Sequence, residues 1–299
     1  MRVDHNKFIS VFSFNLIGSL VSCKHMKKLT CGLSLLILLA YQGKTQEFYR
    51  IKQEIEEFKN LIKRNRIASC STYEFKVTNG QVSSDSLLST VYEYDCVGNN
   101  THIVWFASDS GNKTYEVISE YDQFGNPLKR DVVSQGKKFT YVNNYDKKNN
   151  LIMVKSFENG RILGTSIYEN DIHGNPLKES WISPDSLVKW KTLYSYDSKD
   201  RLIRQVEFDG GREAEIGLLK WNSKGQKVEF NQLDPKTNKV VSKINWEYNF
   251  RGWMTREVVY NDHSIEFSYY KNGLEATNSW KEKDNQVTSI FNSYYTRRD

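Results

Sequence analysis

The phrase Asp-x-x-Gly-Asn-Pro-Leu-Lys stands at residues 122–129 and again at 171–178. Weaker copies run on both sides of it. An aromatic or amide side chain opens each copy, at Tyr94, Tyr121, Tyr145, Asn170, Tyr196, Trp221 and Tyr248, in steps of 24 to 27 residues. The next position is always Asp or Asn: Asp95, Asp122, Asp146, Asp171, Asp197, Asn222 and Asn249. Three further on come Gly98, Gly125, Asn149, Gly174, Asp200, Gly225 and Gly252, the residue types that tolerate positive φ. Three beyond those lie Thr101, Leu128, Ile152, Leu177, Ile203, Val228 and Thr255. A weaker eighth copy falls at residues 270–274.

The chemistry of the phrase is that of a tight hairpin turn. An Asp or Asn at the first turn position accepts hydrogen bonds from its own turn, and Gly, Asn or Asp at the fourth takes the left-handed conformation. The flanking aromatic and aliphatic positions are expected to return the chain to one face. A second set of turns falls midway through the copies, at Gln135-Gly136, Asn159-Gly160, Pro184-Asp185, Gly210-Gly211, Asp234-Pro235 and Asn261-Asp262. Between turns the pattern has period two, as in Tyr115, Val117, Ser119 and Tyr121, which signals strands. The expected fold is all-β: a long antiparallel meander of about seven hairpin repeats and roughly fifteen strands, forming a twisted or curled sheet. An aromatic content of 13% is enough for a packed core.

The region before the repeats reads differently. Phe48, Ile51, Ile55, Phe58 and Ile62 recur at helical spacing, so 46–70 is assigned to one N-terminal amphipathic helix. It is expected to cover one end of the sheet rather than to form a coiled coil. Residues 71–299 then make the repeat domain. Residues 1–45 read as a leader: Met26-Lys27-Lys28 precedes the apolar run 32–40, the pattern of a secretory signal whose true start is Met26. Leu20-Val21-Ser22-Cys23 offers an alternative, a lipoprotein box that would anchor Cys23 to a membrane. Of the remaining cysteines, Cys70 and Cys96 either pair in an oxidising compartment or stay as free thiols.

The leader also explains the charge. The chain is net +6, but residues 1–45 hold six basic residues against Asp4 alone, and the rest is nearly balanced. A concentrated basic run of the kind that grips nucleic acid is missing after residue 66, so that partner is excluded.

The repeat resembles the YD repeat of the RHS family, most clearly in Tyr121–Lys129 and Tyr196–Arg204. That resemblance implies a spiralling β-sheet and a secreted, periplasmic or cell-surface location in bacteria. About seven copies are too few for a large shell, so it does not imply a toxin.

No catalytic, cofactor or metal site emerges. His102, His173 and His263 are isolated, and nucleophile, zincin and phosphate-loop motifs do not occur. Asp95, Asp122, Asp146, Asp171 and Asp197, with Gly98, Gly125, Gly174, Gly225 and Gly252, are assigned to turn formation. Candidate ligand contacts are aromatic: Trp253, Trp246, Trp221, Trp190 and Trp181, with Trp253 favoured because it follows a turn glycine. The expected function is a non-enzymatic secreted or cell-envelope repeat protein that binds a polysaccharide or an envelope protein through its extended sheet. The alternative is a remnant or accessory component of an RHS-type secretion or toxin system. Membrane contact is expected only with lipidation at Cys23.

Overall fold

In this computed structural model, residues 48–298 are described apart from 108 and 261, with backbone alone for 48–55. The leader, including Cys23, lies outside them. One helix, α1 (Phe48–Arg64), precedes eighteen strands that run from β1 (Ile67–Thr78) to β18 (Val287–Arg297). The helix therefore ends six residues before the expected boundary, and the sheet begins at Ile67.

Each strand pairs antiparallel with the next along the chain, starting with β1 against β2 (Gln81–Tyr94). β18 then pairs back onto β1, with Cys70 opposite Tyr295 and Phe75 opposite Ile290. The sheet is thus a closed up-and-down barrel, not an open twisted or curled sheet, and it has eighteen strands rather than about fifteen. Closure leaves no sheet edge exposed to another chain.

The curvature that closes the ring is built into the repeat. In every copy the register slips just before the opening position: at Glu93/Tyr94, Glu120/Tyr121, Asn144/Tyr145, Glu169/Asn170, Ser195/Tyr196, Lys220/Trp221, Glu247/Tyr248 and Ser268/Tyr269. A bulge bends its strand and increases local twist. Repeated around the sheet, that bend accumulates into a ring. The bulges also correct an expectation. Leu128, Ile152, Leu177 and Ile203 are exposed and do not share the buried face with the aromatics.

The inner face explains the opening residue of each copy. Tyr121 Oη donates to the Asn100 carbonyl at 2.7 Å, Tyr145 Oη to Pro127 at 2.9 Å, and Tyr196 Oη to Pro176 at 2.8 Å. Tyr269 Oη donates to Met254 at 2.7 Å. Where the copy holds a different residue, the same bond persists: Asn170 Nδ2 reaches Leu151 at 2.9 Å and Trp221 Nε1 reaches Leu202 at 2.7 Å. The common requirement is a side-chain donor long enough to reach the carbonyl just past the previous turn. Tyr196→Phe removes one such donor and leaves a carbonyl short of a partner. It should cost about 1–2 kcal/mol, read as a shifted denaturation midpoint with an unchanged slope.

The outer face carries charge. Glu120 pairs with Lys129 at 3.1 Å and Glu169 with Lys178 at 2.6 Å. Glu229 lies between Lys220 and Lys243 at 2.6 and 2.7 Å, and Glu266 meets Lys281 at 2.6 Å. The hydrogen bonds from Lys220 and Lys243 hold the Glu229 carboxyl down to about 2. Such ladders interrupt the continuous apolar band with which a transmembrane barrel meets lipid. Among the described residues no helix is long and apolar enough to cross a membrane.

Candidate functional site: the rim of motif turns

All the motif turns stand at one end of the barrel, because each joins an even-numbered strand to the odd one that follows. In the turn at Asp122, the Phe124 and Asn126 amides donate to Oδ1 at 2.8 and 2.9 Å, and Asn126 Nδ2 donates to Oδ2 at 2.9 Å. The same three bonds recur at Asp95 with Asn99, Asp146 with Asn150 and Asp171 with Asn175. At Asp197, Arg201 replaces the Asn and donates through Nε at 2.7 Å. The fourth position takes positive φ throughout: Gly98, Gly125, Asn149, Gly174, Asp200, Gly225, Gly252 and Gly273. The eighth turn, residues 270–273, is part of the ring. The Asp146 carboxyl is held below its ordinary value first by the Asn150 amide. At Asp122 burial pushes the other way, and the Asn126 side chain and turn amides outweigh it.

The fifth position also joins neighbouring turns, a role the sequence reading missed. Gln226 Nε2 donates to the Gly252 carbonyl at 3.0 Å, and Arg201 Nη1 to Asn222 at 3.4 Å. The Asn in Gly-Asn-Pro was the available signal: it pins its own Asp in each exact copy.

The helix lies on this rim, as the amphipathic pattern led us to expect. Ile62 is fully buried with Tyr92, Tyr94, Ile103, Trp105 and Leu274, and Phe58 and Leu61 pack against them. Lys59 Nζ donates to the Gly125 carbonyl at 3.1 Å, and Arg64 Nη2 to Asn272 at 3.2 Å.

The aromatic candidates do not form an exposed row. Trp181 is buried, and Trp221 and Trp246 spend their indole N–H groups on Leu202 O and Glu257 Oε2. Trp190 is half-buried. Trp253, the favoured one, is half-buried too, packed 5.3 Å from the Tyr269 ring with Arg251 5.1 Å above it. Alternation turns these rings to the inner face, so a tryptophan platform for sugars is not formed. Cys70 and Cys96 do not pair either: Cys70 is buried, with burial raising its thiol to about 12, and Cys96 is exposed on a turn.

His173 is not isolated. Its Nδ1 lies 3.0 Å from Asp200 Oδ1 on the next turn, and that carboxylate raises its pKa. With Asp171 the three ligand atoms fall within 4.8 Å. Asp171 already accepts from His173 N and from both Asn175 groups, so the arrangement works as a turn-to-turn ion pair. His102 bridges Glu93 and Glu116 at 3.2 and 2.9 Å on the outer face. On the inner face Glu179, fully buried, accepts from Tyr168 Oη at 2.8 Å and Tyr194 Oη at 3.2 Å.

What the rim displays outward is set by the second and third turn positions. Val97, Phe124, Ile172 and Phe250 are exposed there, Ile172 at 85% and Phe250 at 84%. Lys147, Lys148, Lys199, Lys224, Arg251 and Lys271 are exposed beside them. Those two positions hold no carboxylate in any of the eight turns. The opposite end differs at its tips, where Asp109, Asp185 and Asp284 are exposed.

Fold and rim together define a closed, helix-capped, antiparallel β-barrel of eighteen strands. No protein-family model matches the sequence, and no curated protein does. A porin-like protein from Bacteroides uniformis is similar in structure at 11% identity and a TM-score of 0.43, over 77% of this chain and 98% of that one. The TcdB2-TccC3 structure is similar at 16% identity and a TM-score of 0.33, over 73% of this chain but 14% of that one. A LolA superfamily protein from Nitrosomonas europaea follows at 10% and 0.20, over 83% and 93%. The YD-repeat resemblance is overturned: it implies an open spiral, whereas β18 closes on β1, and no repeat family matches.

Proposed function

We propose that this protein is a non-enzymatic barrel of the bacterial cell envelope, and that it meets its partner through the rim of motif turns. The carrying observation is the exposure of Phe124, Ile172 and Phe250 at turn tips that are otherwise tightly hydrogen-bonded. Large apolar side chains held out on a rigid frame mark interaction surfaces. The envelope location is supported by the basic start and apolar run at residues 26–40.

Photo-crosslinking in the cells that produce the protein tests this. A crosslinker in place of Phe124 or Ile172 should yield adducts, whereas one in place of Leu187 or Val241, exposed at the other end, should not. Equal labelling at both ends would sink the rim reading.

A further inference from the structure

We propose that the rim docks on the surface of an anionic lipid bilayer, with its apolar tips in the headgroup layer and its basic residues against lipid phosphates. This rests on the reading of the rim as the contact surface and names the partner.

Two observations converge. First, the tips combine Phe124, Ile172 and Phe250 with Lys147, Lys148 and Lys199, and the same positions carry no carboxylate anywhere around the ring. Apolar side chains flanked by Lys and Arg are the composition with which surfaces lie in the membrane interface. Carboxylates are confined to the first and fourth turn positions, where they are engaged within and between the turns, and are missing from all eight exposed tips, as contact with an anionic surface requires. Second, the opposite end supplies an internal contrast. It has exposed aliphatic residues too, among them Leu187 and Val241, but its tips carry the exposed carboxylates Asp109, Asp185 and Asp284, whereas the turn Asp residues of the motif rim are half-buried and engaged in their own turns. The charge of the outermost residues, not apolarity alone, distinguishes the two ends.

The geometry suits the task. The tips are stiff, because each is closed by its Asp and by backbone bonds such as Gly125 N to Asp122 O at 3.0 Å. Little conformational entropy is lost when they enter the interface. Below them on the outer face, Leu128, Ile152, Leu177 and Ile203 form a second exposed apolar tier at the bulges. The Glu–Lys ladders begin just beyond it and limit the depth of entry.

Vesicle co-sedimentation of the full chain tests the proposal, with vesicles of pure phosphatidylcholine and of phosphatidylcholine containing phosphatidylglycerol. All variants also carry Leu36→Asp and Leu39→Asp, so that the apolar run does not bind by itself. Binding should favour the anionic vesicles and fall with salt. The combined change Lys147→Gln, Lys148→Gln, Lys199→Gln and Lys224→Gln should weaken it by roughly six hundredfold, at about fivefold per basic residue. Phe124→Ser, Ile172→Ser and Phe250→Ser together should weaken binding to both vesicle types. Leu187→Ser with Val241→Ser should leave it unchanged. Equal binding by the rim variants, or indifference to lipid charge, overturns the proposal. Rim crosslinks to a protein in cells, without vesicle binding, would keep the rim as the contact surface and replace the bilayer by that protein.

Discussion

Gly98→Ala is expected to detach the helix from the barrel and cost roughly 2–4 kcal/mol, from positive-φ strain of about 1–2 kcal/mol plus a steric clash. Gly98 has a φ of 93°, and a Cβ there would stand 2.5 Å from the Lys59 carbonyl oxygen and 3.1 Å from its Cα. Both are helix backbone, so no side-chain rotation relieves the contact. Gly136→Ala is the control. Its φ is 73°, with nothing within 4 Å of the added carbon, so it carries the strain without the clash. Denaturant titration should separate the two variants. Trypsin should cut at exposed Lys63 and Arg64 faster in Gly98→Ala than in Gly136→Ala. Equal stability and equal cleavage would mean that the helix does not depend on this contact.

Stability should fall as pH rises from about 4 to about 7, and Glu275→Gln should abolish most of that slope. Glu275 is the first residue of the strand Glu275–Glu282, opposite Tyr269 and beside buried Leu274 under the helix. Desolvation raises its carboxyl to about 7, against the opposing hydrogen bond from Asn278 Nδ2 at 2.8 Å. The folded chain therefore holds this proton more tightly than the unfolded chain, whose carboxyl titrates at about 4.3. Below that pH both states are protonated and the contribution is complete. Between the two values only the folded state keeps the proton, so stability declines, and above about 7 the loss is complete. The difference corresponds to about 4 kcal/mol. Above pH 7 the Gln variant should be more stable than the parent by about that amount. A parent with flat stability over this range, or a less stable Gln variant, would show that the carboxyl is solvated.

Both effects depend on contacts between segments far apart in the chain, which marks the limit of what the sequence displays. The turns were legible because their physics is local. Asp122 and Gly125 lie three residues apart, and a carboxylate that accepts its own turn amides needs nothing from elsewhere. Period-two alternation assigned Tyr115, Val117, Ser119 and Tyr121 to one face for the same reason. The helix pattern at Phe58 and Ile62 was equally local, and so was its role as a cover.

Other features had no local signal. β1 and β18 lie outside the clear copies of the phrase, yet they seal the ring. Closure is decided by the accumulated bend of the bulges around the whole sheet, and no single copy contains it. The inward turn of Trp246 and Trp253 followed from closure, because a ring has one inside. Which end of the barrel displays lysine and phenylalanine at its exposed tips was written in the turns, but became visible only when the turns were gathered. The sequence by itself determined the hairpins, their spacing and their donors and acceptors, because neighbouring residues suffice for these. The tertiary structure alone decided closure, the helix contact at Gly98 and the desolvation of Glu275, because each depends on groups that only the completed ring brings together.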